Sequence, residues 1–574
     1  MTKDKIIEIL EEISVLLELS GENPFKSRAY SIAARNLEKV EEDIADLVQS
    51  GKIFEIQGIG EAIGQKISAL QSSGRLEYYE KLKASIPAGH LEMLKISGLG
   101  PRKIHALYQE LGITTLGELE YACHENRLAD LKGFGKKTQD NILAGIERLK
   151  RYTQRRRYDE ALKEAQSLLK FVEIHDLVDR ADIAGSLRRG LETVKDIDLL
   201  VATNHPQKVG AFFASYEQVD HIVAQGDTKV SVTLKSGVNA DLRMVSPDQY
   251  PYALHHFTGS HLHNTAMRGR AKGMGLRMNE YGLFRGQSLV VCRTEEEIFK
   301  ALRLKFIEPE LREDMGEIEA AEKGQLPILI EREDVRGLFH VHTHFSDGTE
   351  PLEKMVQEAR KMGMAYIGIS DHSQSAFYAG GLKIEDIERQ HAIIDALNQK
   401  WAPFHIFKGI ESDIAPDGRL DYEDHILSRF DFVIAAVHSH FKMSEEEMTA
   451  RICRALSDPH TTMLAHPTGR LLLSRDPYSI NMPKVIETAA RYNKVLELNA
   501  NPQRFDLDWR HCIIAQKKGV KIAVNPDAHS VGGLYDIDFG VKIARKGWIS
   551  KENCLNCLSL EAVKAYLDRT TTKG

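Results

Sequence analysis

The sequence predicts a multidomain α/β protein with a helical N-terminal region and a βα barrel or doubly wound sheet at its C-terminal end. Three observations predict it. Residues 1–150 read as short helices broken by glycine pairs. Residues 151–255 carry the Val/Ile/Leu alternation of strands. Beyond residue 337, the apolar runs YIGIS, FVIAAV, VLELNA and KIAV alternate with helical patterns, and histidines and carboxylates recur at their ends.

The bulk properties narrow the function classes. A chain of 574 residues is too long for one core, and the length implies about three to five domains. Net charge is -7, so the chain as a whole is not a basic nucleic-acid binder. Contacts with phosphate must come from local patches and backbone amides. The first residues run straight into an amphipathic pattern, with no apolar leader core, and no apolar run approaches the ~20 residues of a membrane span. Six scattered cysteines fit a reducing cytosol. Cys554 and Cys557 form a single CxxC and are read as structural, because zinc needs about four ligands. The expectation is a cytoplasmic monomer.

The first helix takes its period from Ile6, Ile7, Leu10, Ile13, Leu16 and Leu17. One pattern then recurs three times: around Gly58 and Gly60, around Gly98 and Gly100, and around Gly133 and Gly135. In each, an apolar segment meets Gly-x-Gly and a new helix begins. Free backbone N–H groups at such a helix start attract phosphate, and glycine permits close approach. Lys66, Arg102, Lys103, Lys136 and Lys137 follow. A dinucleotide fold is excluded because no strand precedes these glycines. The motifs resemble helix-hairpin-helix elements, which implies sequence-independent gripping of a DNA backbone.

In GSLRRGLETVKDIDLLV, Asp196 and Asp198 lie two apart on a strand, so both face one way. Two carboxylates on one face call for cations between them, and paired divalent ions suit a 3′-hydroxyl attacking a triphosphate. Asp241, in VNADLRMV, is the third candidate. Gly185 and Ser186 open a turn able to hold phosphates, and Arg189 adds charge.

Together with HFTGSHLHNTAMR, these motifs resemble the catalytic core of family X DNA polymerases over residues 1–315. The resemblance implies a nucleotidyltransferase-type palm (151–255) with a small thumb for nucleotide selection (256–315). It makes Asp196, Asp198 and Asp241 the ligands of Mg²⁺ or Mn²⁺, and Ser186 and Arg189 triphosphate contacts. Phe257 and Gly259 surround the incoming sugar, and Asn264 and Arg268 read the nascent pair. Lys66 matches the lysine of the 5′-deoxyribose phosphate lyase. His256, His261 and Ala62 depart from a common tyrosine, an acidic residue and a lyase-pocket lysine, respectively. Residues 1–90 are then a lyase-like helical domain with the first hairpin, and 91–150 a DNA-binding subdomain with two more. Residues 316–336 are a linker.

The C-terminal third places His340, His342 and Asp347 in HVHTHFSDG, then His372, Glu411, His438, His466, Asp527 and His529 after successive strand-like runs. In a barrel, strand C-terminal ends converge on one mouth. A nitrogen-rich set of this kind suits Zn²⁺ or Mn²⁺ better than Ca²⁺, and its size suits about three ions. Such a cluster polarises a phosphate and stabilises a leaving oxygen. The set resembles the PHP (polymerase and histidinol phosphatase) family over 337–574, which implies a (β/α)7-like barrel. Leu338 stands where an acidic residue often opens the first motif. A family X core joined to a PHP domain resembles the bacterial and archaeal PolX arrangement. That implies filling of short gaps from dNTPs on gapped or nicked duplex DNA in base excision repair. It also implies a metal-dependent 3′–5′ exonuclease, with abasic-site endonuclease and 3′-phosphatase activity as further options. A scaffold role for the barrel, a DNA-binding adaptor and a small-molecule phosphatase are the competing readings.

Overall fold

Apolar spacing and glycine breaks set the first 150 residues. The computed structural model describes residues 3–571 except 39, 41, 43, 97, 129–130 and 151–154. The chain divides into two compact units, 1–150 and 151–574. In the first, helix Lys3–Leu19 buries Ile6, Ile9, Leu10, Ile13, Leu16 and Leu17, the stripe that a 3.6-residue period dictates.

The three glycine pairs share one geometry. Gly58, Gly98 and Gly133 take positive φ, at 85°, 83° and 90°. Their partners Gly60, Gly100 and Gly135 directly precede the helices Glu61–Ser73, Pro101–Leu111 and Lys136–Lys150. The residue between, Ile59, Leu99 or Phe134, points into the core. A Cβ on Gly60, Gly98, Gly100, Gly133 or Gly135 would meet nothing within 4 Å. The turns therefore present bare backbone outward.

The second unit begins with a five-stranded mixed sheet. Its strands are β1 (Arg180–Ile183), β2 (Asp196–Ala202), β3 (Val219–Gln225), β4 (Lys229–Leu234) and β5 (Asn239–Val245), in the order β1-β2-β5-β4-β3. β2 and β5 are parallel, with Asp198 in register with Asp241. Helices Tyr158–Glu173 and Pro206–Ala214 supply core residues to this sheet. A helical segment and a small antiparallel sheet, Arg277–Asn279, Gly282–Arg285 and Ser288–Leu289, follow.

Residues 316–336 are not a free tether. Ile318, Ala321 and Leu329 join the core of the preceding segment, and the Ile330 amide donates to the Ile549 carbonyl. From there, seven parallel strands run in sequential order: β6 (Gly337–Val341), β7 (Tyr366–Ile369), β8 (His405–Asp413), β9 (Phe432–Ala436), β10 (Met463–Leu464), β11 (Val495–Asn499) and β12 (Ile522–Asn525). Bonds from the His342 amide to the Ala528 carbonyl (2.9 Å) and from the Ala528 amide to the His340 carbonyl (3.2 Å) bring the last strand back to the first. The sheet is a nearly closed barrel. Phe339, Tyr366, Phe407 and Phe432 fill its interior. Gly368 and Gly409 make room for them, since a Cβ on Gly409 would sit 2.1 Å from the Phe432 ring.

Candidate active sites

Asp196 and Asp198 leave the same face of β2, while Ile197 and Leu199 are buried on the other. Asp241 joins them from β5 and takes an ion pair with Lys229 at 2.6 Å. Burial, then the charges of Asp196 and Asp241, push the Asp198 carboxyl up to about 6. A divalent cation reverses that balance, so the donor set fits the expected metal ions. The 185 turn is built against Asp198. Gly185 has φ 62°, and a Cβ there would lie 2.1 Å from the Asp198 carboxylate. Only glycine fits on both counts. Ser186 follows in the short helix Gly185–Arg188.

Arg189 is already engaged. Its Nε donates to Glu313 at 2.8 Å and one terminal nitrogen donates to the Thr258 carbonyl at 2.8 Å. Arg188 holds Glu295, which also pairs with the buried Arg312. Phe257 lies under the Arg243 guanidinium at 4.1 Å. Asn264 donates to the carbonyls of His256 (2.7 Å) and Gly259 (3.1 Å), fixing the bend between two helices. A Cβ on Gly259 would clash with the Asn264 amide. Arg268 reaches Thr265 on its own helix.

Lys66 belongs to the first unit. Its ammonium donates to the Ala62 carbonyl at 3.1 Å and lies 5.0 Å from the Tyr78 ring centroid. Burial, then the Lys26 charge, lower its pKa.

The barrel mouth collects all nine residues read from the strand ends. Four sets of donor atoms fall close enough together to share an ion: His342, Asp347, His372 and His529; His340, His466 and Asp527; His340, His342 and Glu411; and His372, Glu411 and His438. Glu411 is the hub, 2.9 Å from His372, 3.0 Å from His466, 3.2 Å from His340 and 3.3 Å from His438. Nε2 of His340 and both ring nitrogens of His342 and His372 are buried without a well-aligned hydrogen-bond partner. Such orphaned nitrogens are costly unless a cation takes their lone pairs, so the residues fit a cluster of divalent metal ions. His340, His466 and Asp527 also hold positive φ, at 55°, 25° and 51°. Strain of about 1–3 kcal/mol per residue persists where the site demands it.

Burial and the neighbouring rings of His529 and His372 hold His342 down at about 3. Burial opposes a charged His340, yet Asp527, Glu497 and Glu411 together raise it well above its ordinary value.

Sequence reasoning missed the residues that orient these ligands. Glu497 accepts from His340 Nδ1 at 2.6 Å, and Asp413 from His438 Nδ1 at 2.6 Å. Asp371 accepts from the Thr343 amide, Ser346 and Gln390, tying down the loop that carries Asp347. A signal existed for two of them. Asp413 follows Glu411 by two on one strand, and Glu497 is a charge inside the apolar run VLELN. The Cys554–Cys557 pair lies buried with free thiols, away from these sets.

The comparisons with known proteins parallel this layout. Family models match for a helix-hairpin-helix domain (1–76), a SAM-like helix-hairpin-helix tandem (91–148), the DNA polymerase beta thumb (253–313) and a PHP domain (339–501). The chain is 39% identical to the DNA polymerase/3′–5′ exonuclease PolX of Bacillus subtilis, over 99% of this chain and 100% of that one. A "probable phosphatase" of Caldanaerobacter subterraneus is 28% identical over 41% of this chain and 93% of its own length. Another from Caldicellulosiruptor bescii is 30% identical over 35% and 80%. No helix among the described residues is long and apolar enough to cross a membrane.

Proposed function

Because the chain belongs to the PolX family of DNA polymerase/3′–5′ exonucleases, we propose that it fills short repair gaps at one site and trims 3′ ends at another. The observation that carries this reading is that unit 151–574 brings nine donor residues together at a barrel mouth and, separately, sets Asp198 in register with Asp241 beside Asp196 on a second sheet.

At the palm, Asp196, Asp198 and Asp241 would hold Mg²⁺ or Mn²⁺, which would supply activation of the 3′-hydroxyl and charge neutralisation at the triphosphate. The chain's own groups position the nucleotide. Backbone N–H groups after Gly185, with the Ser186 hydroxyl, face the phosphates. Arg189 adds charge along an edge that Glu313 and Thr258 hold still. Phe257 and Gly259 shape the sugar space, and Asn264 and Arg268 lie on the side of the nascent pair. The glycine turns of unit 1–150 grip the backbone of gapped or nicked duplex DNA, and Lys66, with its lowered pKa, is the lyase nucleophile. We place the protein in the cytoplasm as a monomer.

At the barrel mouth, the nine ligands would hold about three Mn²⁺ or Zn²⁺ ions, which would supply Lewis-acid polarisation of a phosphoester. Glu497 and Asp413 fix the tautomer and aim of His340 and His438, so their free nitrogens face inward. Phe377 is 89% exposed beside Tyr378, whose ring lies 6.1 Å from His372. It gives the base of a 3′-terminal nucleotide a face on which to stack. A DNA end thus suits the mouth better than a small phosphate monoester.

The test is an end-labelled gapped duplex incubated with Mn²⁺, with and without dNTPs. A 5′-deoxyribose phosphate arm is trapped with borohydride. Extension with dNTPs and shortening without them are expected, with trapping lost in Lys66→Ala. Absence of either extension or shortening would sink the two-site reading.

A further inference from the structure

The turn that carries Arg189 is held from the barrel as well as from the palm. Helix Ile537–Lys546 of the C-terminal barrel packs directly on it. Gly190 has φ 68°, and a Cβ there would meet Lys542 at 3.1 Å. Lys546 is wholly buried. Its ammonium donates to Glu313 at 2.6 Å, to the Arg189 carbonyl at 3.3 Å and to the Glu310 carbonyl at 3.4 Å. The Glu313 oxygen that receives Lys546 also receives Arg189 Nε. One carboxylate is therefore shared between a barrel lysine and the arginine of the 185–190 turn. A second link lies alongside. Glu192 accepts from Arg470 at 2.7 Å, and Arg470 follows His466 on the rim of the barrel mouth.

A buried lysine is a poor way to join two surfaces, because apolar side chains do so without the cost of desolvating charge. What a lysine adds is direction. It pins Glu313 and the Arg189 carbonyl together, and so fixes both the backbone and the guanidinium of Arg189. The other support of that guanidinium is the Thr258 carbonyl. Among the described residues, its remaining nitrogen, Nη2, makes no hydrogen bond, which leaves that edge for a phosphate oxygen.

We propose that Lys546 is a positioning residue of the nucleotidyl-transfer site: through Glu313 and the Arg189 carbonyl it sets the 185–190 turn to receive the triphosphate of the incoming nucleotide. The barrel then contributes to polymerisation whether or not its own cluster is working. The inference rests on the reading of that turn as the triphosphate holder.

Steady-state filling of a one-nucleotide gap by the full chain tests it, with Mn²⁺-dependent 3′-end hydrolysis measured in parallel. Lys546→Met is expected to raise the KM for the nucleotide roughly tenfold, the scale of one misplaced charge-assisted hydrogen bond, and to leave kcat within about twofold. Lys546→Arg should recover most of the KM, and 3′-end hydrolysis should not change. An unchanged KM overturns the proposal, as does a parallel loss of both activities. If Lys546→Met does not fold, Glu313→Gln must show the same KM shift, and its absence is equally fatal. An Asp196→Ala, Asp198→Ala double variant that still extends primers would instead overturn the polymerase-site reading.

Discussion

Asp198, half-buried, and Glu411, fully buried, are both carboxylates at the centre of a cluster, yet their surroundings drive them in opposite directions. Burial and two more aspartates push Asp198 up to about 6. Burial also disfavours a charged Glu411, but His340, His372 and His438 hold it well below its ordinary value. The palm cluster is all acid, with Arg243 and Lys229 at its edge. The barrel cluster carries its own nitrogen ligands. The palm thus leaves its charge to be balanced by added cations. The barrel has a self-consistent cage before any substrate enters, with strained backbone at three ligands. One site is assembled with its substrate, and the other is preorganised.

The largest test of that contrast separates the two chemistries. The Asp196→Ala, Asp198→Ala double variant should lower gap filling by at least about 10³-fold and leave 3′-end hydrolysis intact. His342→Ala should do the reverse. Primer extension and end-release assays on the same preparations check both, and either variant losing both activities while folded would break the contrast.

A smaller effect tests what the preorganised mouth binds. Phe377→Ala should weaken hydrolysis at a DNA 3′ end roughly tenfold, in line with the loss of one base stack, while a chromogenic phosphate monoester is cleaved as before. Equal losses on both substrates would assign Phe377 to the fold instead.

The smallest effect concerns a third, half-buried carboxyl, one without a cage. Burial, then Asp159, push Asp536 up to about 8 from 3.8. The folded chain therefore binds this proton more tightly than the unfolded chain, and stability falls as pH rises from about 4 to about 8. Asp536→Asn should raise Tm on the order of 2–4 °C at pH 8, with the gain vanishing near pH 4. A difference in melting temperature that does not vary with pH would refute this.

How much of this was legible in the sequence follows from the range of each interaction. The glycine turns, Asp196-x-Asp198 and the strand-end histidines are local, because a turn or a strand parity fixes where they point. The fold class followed from the same periodicities. Residues 316–336 looked like a polar linker because their apolar positions are read only through their partners: Ile318 and Leu329 join the core of the preceding segment, and the Ile330 amide reaches the Ile549 carbonyl far along the chain. The motif made Arg189 an expected phosphate contact but gave no sign of its partnership with Glu313, 124 residues later. Lys546 sits more than 230 residues from its carboxylate. No spacing rule reaches such pairs, since they exist only once the barrel is docked.

That docking bears on how the two activities can be dissected. Glu192, Glu310 and Glu313 lie along the polymerase side of the contact, answered by Arg470, Lys542, Arg545 and Lys546. A fragment cut at residue 336 would keep the three acids and lose all four bases. Glu192 and Glu310 would lose their barrel cations, and Glu313 would keep only Arg189, so the turn proposed to receive the triphosphate would be flanked by extra negative charge, which repels a triphosphate. Inactivity in such a fragment would reflect an injured electrostatic landscape, whether or not nuclease chemistry assists synthesis.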